Sequence, residues 1–156
     1  MESFARRYGV DAETAKAMTA KYRERYSAKG VDECGVYPGV VELVRALKAE
    51  GAVVAVATGK PTPFTVDRLG RNGVGTLLGG VLGSEVEGTR NHKWETIELL
   101  LQRHGRDGAG MIGDRDNDVL AAQRCNIPCV GVSWGYAEPG ELESAGAVTV
   151  VHDTKE

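Results

Sequence analysis

Several patterns that would settle the function of this 156-residue chain at once are missing from it. There is no Cys-x-x-Cys pair: Cys34, Cys125 and Cys129 are odd in number and have no histidine at ligand spacing, which argues against a zinc site and a disulfide framework. Cys125 and Cys129 read instead as small buried hydrophobes at a helix end and on the next strand. There is no basic stripe: lysines and arginines are scattered among acids at a formal net charge of -3, so nucleic acid is not an expected partner. No apolar run approaches the roughly 20 residues that cross a bilayer. The opening Met1-Glu2-Ser3-Phe4-Ala5-Arg6-Arg7 lacks the apolar core of a signal peptide. The expectation is a soluble, cytoplasmic protein that makes no use of a membrane. Internal repeats are absent, and the 21 glycines are spread through turns rather than gathered into a linker.

What is present is an alternation of helix and strand patterns. Asp11 is placed to cap a helix over Ala12 to Ala28, stopped by Gly30, with Met18, Tyr22 and Tyr26 on one face. That stripe suggests docking onto something other than a sheet. Tyr37-Pro38-Gly39 opens a second helix carrying Val40, Val41, Leu43, Val44 and Leu47 and ending near Gly51. Val53 to Ala57 is a short continuous apolar run, the pattern of a strand buried on both faces of a parallel sheet. Thr62-Pro63 starts a helix. Leu77 to Leu82 is a weak strand weakened by its glycines. Asn91 caps a helix with Trp94, Ile97, Leu100 and Leu101 inward, and Ala109 to Gly113 is a strand. Asn117 to Cys125 is a helix, and Cys129 to Ser133 and Val148 to Val151 are strands. The pattern predicts a three-layer α/β, Rossmann-like fold with a parallel sheet and right-handed crossovers.

In such sheets ligands bind beyond the carboxyl ends of the strands. Three groups of polar residues fall there: Thr58, Gly59 and Lys60; Asp114 to Asp118; and Ser133 with Trp134. Asp114 ends a strand and Asp118 lies one helical turn on, so both carboxylates can face one point. Such oxygens suit a hard divalent cation, and magnesium needs only one or two protein carboxylates besides water and substrate phosphate. Acids in a first helical turn are also favourable with no metal present, so Asp116 alone decides nothing. Asp114 weighs more, because a carboxylate directly after an apolar strand is desolvated and needs a partner. Thr58 with Gly59 offers a hydroxyl and exposed N–H groups to a phosphate; on spacing alone a Thr that merely ends a strand is the commoner reading. Lys93, in the first turn of a helix, is electrostatically misplaced unless an anion lies nearby; the bland alternative is a solvent-exposed lysine.

Other motifs fail on detail. Gly59-Lys60 lacks the first glycine of a Walker loop and is followed by Pro61 rather than Ser or Thr. Gly70-Arg71-Asn72-Gly73-Val74-Gly75 follows a helix, where a dinucleotide fingerprint would follow a strand. Ser133 has no nucleophile elbow around it, and His92, His104 and His152 are dispersed, with surface or capping positions expected. A phosphorelay receiver would place its acids before the Thr and Lys, whereas Asp114 follows both.

The ordered set of a strand ending in Thr58, Lys93 at a helix start and Gly113-Asp114-Arg115-Asp116-Asn117-Asp118 resembles the haloacid dehalogenase-like (HAD) phosphohydrolases, and among them the phosphoglycolate phosphatase-like group with a helical cap. Thr58 matches that family's second motif, Lys93 the third, and Asp114 with Asp118 the fourth. Tyr37-Pro38-Gly39-Val40, Thr58-Gly59-Lys60-Pro61, Gly88-Thr89-Arg90 and Gly131-Val132-Ser133-Trp134-Gly135-Tyr136 are similar to the same group. The resemblance implies that Thr58, Gly59 and Lys93 hold the phosphoryl group of a small phosphorylated metabolite. It implies that Lys93 also steadies a nucleophile, and that Asp114 ligates Mg2+ with Asp118 as a ligand or support. Residues 1–30 would be part of a helical cap and residues 31–156 an incomplete core.

The family's first motif, Asp-x-Asp-x-Thr at the end of a first strand, has no counterpart before Thr58, since Asp11 and Asp32 follow no apolar strand. That strand belongs at the centre of the sheet, between those ending at Thr58 and Gly113. Two expectations follow. The chain is a truncated form of a phosphatase, inactive alone, or it is a non-catalytic binding or assembly protein of the same descent. In either case unpaired sheet edges invite self-association.

Overall fold

The computed structural model describes residues 4–5, 8–26, 29, 35–85 and 92–156. Gly30, Asp32, Cys34, Gly88-Thr89-Arg90 and Asn91 lie outside the described residues. The chain divides into two units, Met1–Val36 and Tyr37–Glu156.

In the first unit, helix α1 (Ala12–Arg25) begins where Asp11 accepts the Thr14 amide at 2.8 Å, satisfying one of the donors a helix start leaves open. Ala15 is its buried residue. The aromatic face is present: Tyr22 stacks on Tyr26 at 5.7 Å between ring centroids, and Phe4 meets Tyr22 edge-on.

The second unit runs α2 (Val40–Ala49), β1 (Ala55–Pro61), α3 (Thr62–Arg71), β2 (Gly80–Ser84), α4 (Lys93–His104), β3 (Met111–Gly113), α5 (Asp116–Arg124), β4 (Cys129–Val132), α6 (Glu141–Ala145) and β5 (Thr149–Val151). Every strand pairing is parallel, but β1 is only half-buried and Val53, which precedes it, is exposed, so the expected burial on both faces is not reached there. The three-layer α/β reading holds, with adjustments to its elements, among them a first strand that begins at Ala55 and runs past Thr58 to Pro61. The weak strand around residue 80 starts at Gly80, after a 3-10 turn at Gly75–Leu77. Its glycines serve close packing: a Cβ on Gly79 would lie 2.5 Å from Val53 Cγ1 and one on Gly80 3.2 Å from Leu100 Cδ2. The short helix α6, with no periodic apolar pattern to announce it, is additional.

The strands form two sheets, β1-β2 and β3-β4-β5. Among the described residues no strand pairs with the inner edge of β1 or of β3. The helical layer bridges them, because α4 packs on β1, β2 and α5, while α5 packs on β3 and β4. Ile97 and Leu101 from α4, Val119, Ala121 and Ala122 from α5, then Cys125, Ile127, Cys129 and Leu142 form the core. Burial of each larger aliphatic chain there contributes about 1.5–3 kcal/mol. Met111, Cys129 and Val150 face this cluster. On the opposite face the register sets Ile112 beside Val130, and Ile112 is 54% exposed.

Candidate functional site

The acidic corner forms where β3 gives way to α5. Asp118, in the first turn of that helix and 3% exposed, turns its carboxylate back toward the strand end. Its Oδ2 accepts the amides of Asp114 (3.1 Å) and Arg115 (3.2 Å), and its Oδ1 accepts from Lys93 Nζ. Here is the anion that relieves the lysine of its misplacement at the start of α4. The start of α4 is capped separately: His92 occupies the N-cap, and its amide donates to the Glu95 carboxylate at 2.9 Å.

Asp114 is held differently. Its Oδ2 accepts the Tyr136 amide at 3.0 Å from the loop after β4, and among the described residues Oδ1 has no partner. Two glycines make room for these carboxylates. A Cβ on Gly135 would lie 2.2 Å from Asp114 Cβ and 2.4 Å from its Oδ2, and one on Gly113 would lie 2.3 Å from Asp118 Cβ. Both positions are open to glycine alone without displacing an acid.

Thr58 and Gly59 lie within β1 rather than at its end, in an irregular stretch. Ala57 is paired with Leu82 and Pro61 with Ser84, so three residues of β1 stand against one of β2 between those pairs. Such a bulge lifts Thr58, Gly59 and Lys60 out of the ladder and re-aims them. The Thr58 hydroxyl accepts the Lys60 amide at 3.1 Å, and the Gly59 carbonyl accepts from Ser84 Oγ at 2.9 Å. Direct bonds thus join Lys93, Asp118 and Asp114, while Thr58 and Gly59 sit on the neighbouring sheet, linked to Lys93 through the packing of α4 on β1.

Two features lay beyond what the sequence pattern marked. Glu141 at the start of α6 accepts from Arg115 Nε at 2.6 Å, the Asp116 amide at 2.9 Å and the Glu138 amide at 3.1 Å. The Arg115 guanidinium, followed by those two amides, pulls its carboxyl down to about 2. Arg115 is shifted up in return, foremost by the same bond. Ser133 Oγ and His152 Nδ1 are 2.9 Å apart on exposed ends of neighbouring strands. Neither pairing could be found from spacing, because each joins residues at least 19 apart that no periodic pattern relates.

The donor set suits a hard cation that retains most of its water: one carboxylate oxygen is uncommitted at the strand end, and a supporting carboxylate lies behind it. Among the described residues no cluster of three or more His, Cys, Asp or Glu able to hold a metal occurs.

A family model for haloacid dehalogenase-like hydrolases matches residues 2–126. The chain belongs to the haloacid dehalogenase-like hydrolases. The 5'-nucleotidase of Pseudomonas aeruginosa is 36% identical over 146 residues, which are 92% of this chain and 66% of that protein. The phosphoglycolate phosphatase of Caulobacter vibrioides is 33% identical over 145 residues, 92% of this chain and 61% of that one. The chain therefore spans less than two thirds of either relative. Among solved structures, a predicted phosphatase from Clostridium acetobutylicum superposes with a TM-score of 0.92 at 35% identity, covering 99% of this chain and 72% of that one. These findings set the HAD-like chain in the phosphoglycolate phosphatase-like group.

Proposed function

We propose that this HAD-like chain carries the phosphate- and magnesium-binding side of a phosphatase site for a small phosphorylated metabolite, in the cytoplasm. The observation that supports it most is the linked set of Lys93, Asp118 and Asp114, in which a buried carboxylate fixes a lysine beside a second carboxylate with a free oxygen. In this reading the Lys93 ammonium, the Thr58 hydroxyl and the Gly59 amide take the phosphoryl oxygens. Asp114 holds Mg2+, and Asp118 orients both Lys93 and the turn that carries Asp114. The cation, when bound, supplies neutralisation of phosphoryl charge, and the chain's own part is positioning, which is most of what phosphoryl transfer asks of a protein. In this reading the helix of the Met1–Val36 unit belongs to a helical cap of the kind that selects substrate.

The covalent step in this family uses a strand-borne aspartate, and among the described residues no strand ahead of β1 supplies one. Residues 1–156 by themselves are therefore expected to show no turnover of an aryl phosphate with magnesium. Adding a peptide with an apolar run ending in Asp-x-Asp-x-Thr is expected to produce magnesium-dependent turnover that Asp114→Asn abolishes. Turnover indifferent to Asp114→Asn would refute the site. Phosphoglycolate and a nucleoside monophosphate are the first substrates to compare, given the activities named for the two relatives.

A second reading, a non-catalytic binding or assembly protein, is favoured by one observation: the inner edges of β1 and β3 are unpaired among the described residues. Retention of Thr58, Lys93, Asp114 and Asp118 together supports the phosphatase reading over it.

A further inference from the structure

The geometry points to Glu141 as the positioning residue that keeps the cation corner anionic, by holding the Arg115 guanidinium away from Asp114. This rests on the reading of Asp114 as the cation-holding carboxylate. Arg115 directly follows Asp114, and after Glu141 the Asp116 and Asp114 carboxylates help hold its charge. A guanidinium is a strong, permanently charged donor that pairs with carboxylates in a two-pronged fashion. Released beside Asp114, it would take the uncommitted Oδ1 and occupy the place a divalent cation needs.

Glu141 prevents this from a distant segment. Its side chain is 13% exposed and binds Arg115 Nε at 2.6 Å. The same oxygen accepts the Asp116 amide at 2.9 Å, one of the donors that the start of α5 leaves open. Its other oxygen holds the Glu138 amide at 3.1 Å. The loop fastened at Glu138 is the loop whose Tyr136 amide grips Asp114 at 3.0 Å. Glu141 therefore acts on Asp114 twice, by removing a competing cation and by fixing the loop that orients the carboxylate. Groups of this kind behind a metal ligand typically change affinity about 10- to 100-fold when removed.

The test uses Mn2+ as the probe, followed by electron paramagnetic resonance of the intact chain. Glu141→Ala is expected to weaken Mn2+ binding at least about tenfold, and the double variant Arg115→Ala/Glu141→Ala to recover most of that loss. Glu141→Gln keeps an acceptor for the two amides but not the charge, so it isolates the sequestration of Arg115 and is expected to weaken binding as well. Unchanged binding in Glu141→Gln, or no recovery in the double variant, overturns the proposal, since a residue needed only for folding would not be rescued by removing Arg115. A crystal structure of a Glu141 variant gives a readout that needs no metal: the guanidinium is expected on the Asp114 carboxylate, and a guanidinium anywhere else overturns the inference. Failure of the wild-type chain to bind Mn2+ would count against the cation reading of Asp114, while that structure would still decide the fate of Arg115.

Discussion

Lys93 and Asp118, 25 residues apart in the chain, form an ion pair in which the carboxylate side chain is 4% exposed and the lysine 21%. The pair ties the start of α4 to the first turn of α5, and so ties the helix packed on β1 to the strand end that carries Asp114. Lys93→Met leaves a buried carboxylate with only its two backbone donors. It is expected to cost about 1–3 kcal/mol in denaturant unfolding. The double variant Lys93→Met/Asp118→Asn is expected to lose less than the sum of the two single changes, because neither charge is then stranded.

Gly135→Ala tests the close approach at the other carboxylate. The added methyl would sit 2.2 Å from Asp114 Cβ, so the Asp114 side chain or the loop must move. A loss of about 1–3 kcal/mol in stability is expected, as for overpacking elsewhere, together with weaker Mg2+ binding by calorimetry. A variant that binds Mg2+ as the wild type does would show that Asp114 is not held for a cation.

The depressed Glu141 carboxyl sets a sign for the pH dependence. It falls from an ordinary 4.5 to about 2 on folding, so its contribution to stability is complete above about 4.5 and is lost as pH falls toward about 2. Thermal unfolding across that window is expected to lose more stability in the wild type than in Glu141→Gln, where the carboxyl is gone. Parallel curves would place the titration elsewhere.

Burial pushes the Cys129 thiol up to about 11 and raises Cys125 as well. Neither should react with iodoacetamide in the folded protein at pH 8, because the thiolate is the reactive form. Peptide mass spectrometry is expected to find both alkylated only after unfolding. Labelling of native Cys129 would contradict its burial in the core.

Among the described residues the inner edges of β1 and β3 are unpaired and Ile112 is exposed, which predicts association that grows with protein concentration. Sedimentation velocity is expected to show this, and Ile112→Lys, which places a charge on the edge strand, to reduce it. A concentration-independent monomer would remove the argument for pairing in trans.

The apolar runs at 53–57 and 129–133 made two of the parallel strands legible, although only the second is largely buried and the first strand begins at Ala55 and runs on to Pro61. The corner at Asp114 was legible because a carboxylate after such a run has few harmless explanations. The inward turn of Asp118 was not, since its partners are two backbone amides and a lysine from another helix. The bulge at Thr58 to Lys60 was hidden for a related reason: it depends on pairing with Leu82 and Ser84, and pairing is not written in spacing. Glu141 was invisible because nothing periodic marks a short helix whose first residue reaches back to a distant loop.

Magnesium binding by the intact chain and by Asp114→Asn, compared by calorimetry, tests the central claim most directly. The substitution keeps an acceptor for the Tyr136 amide but removes the charge. The account predicts saturable Mg2+ binding to the wild type and its loss in Asp114→Asn. Equal binding by the two proteins would contradict it.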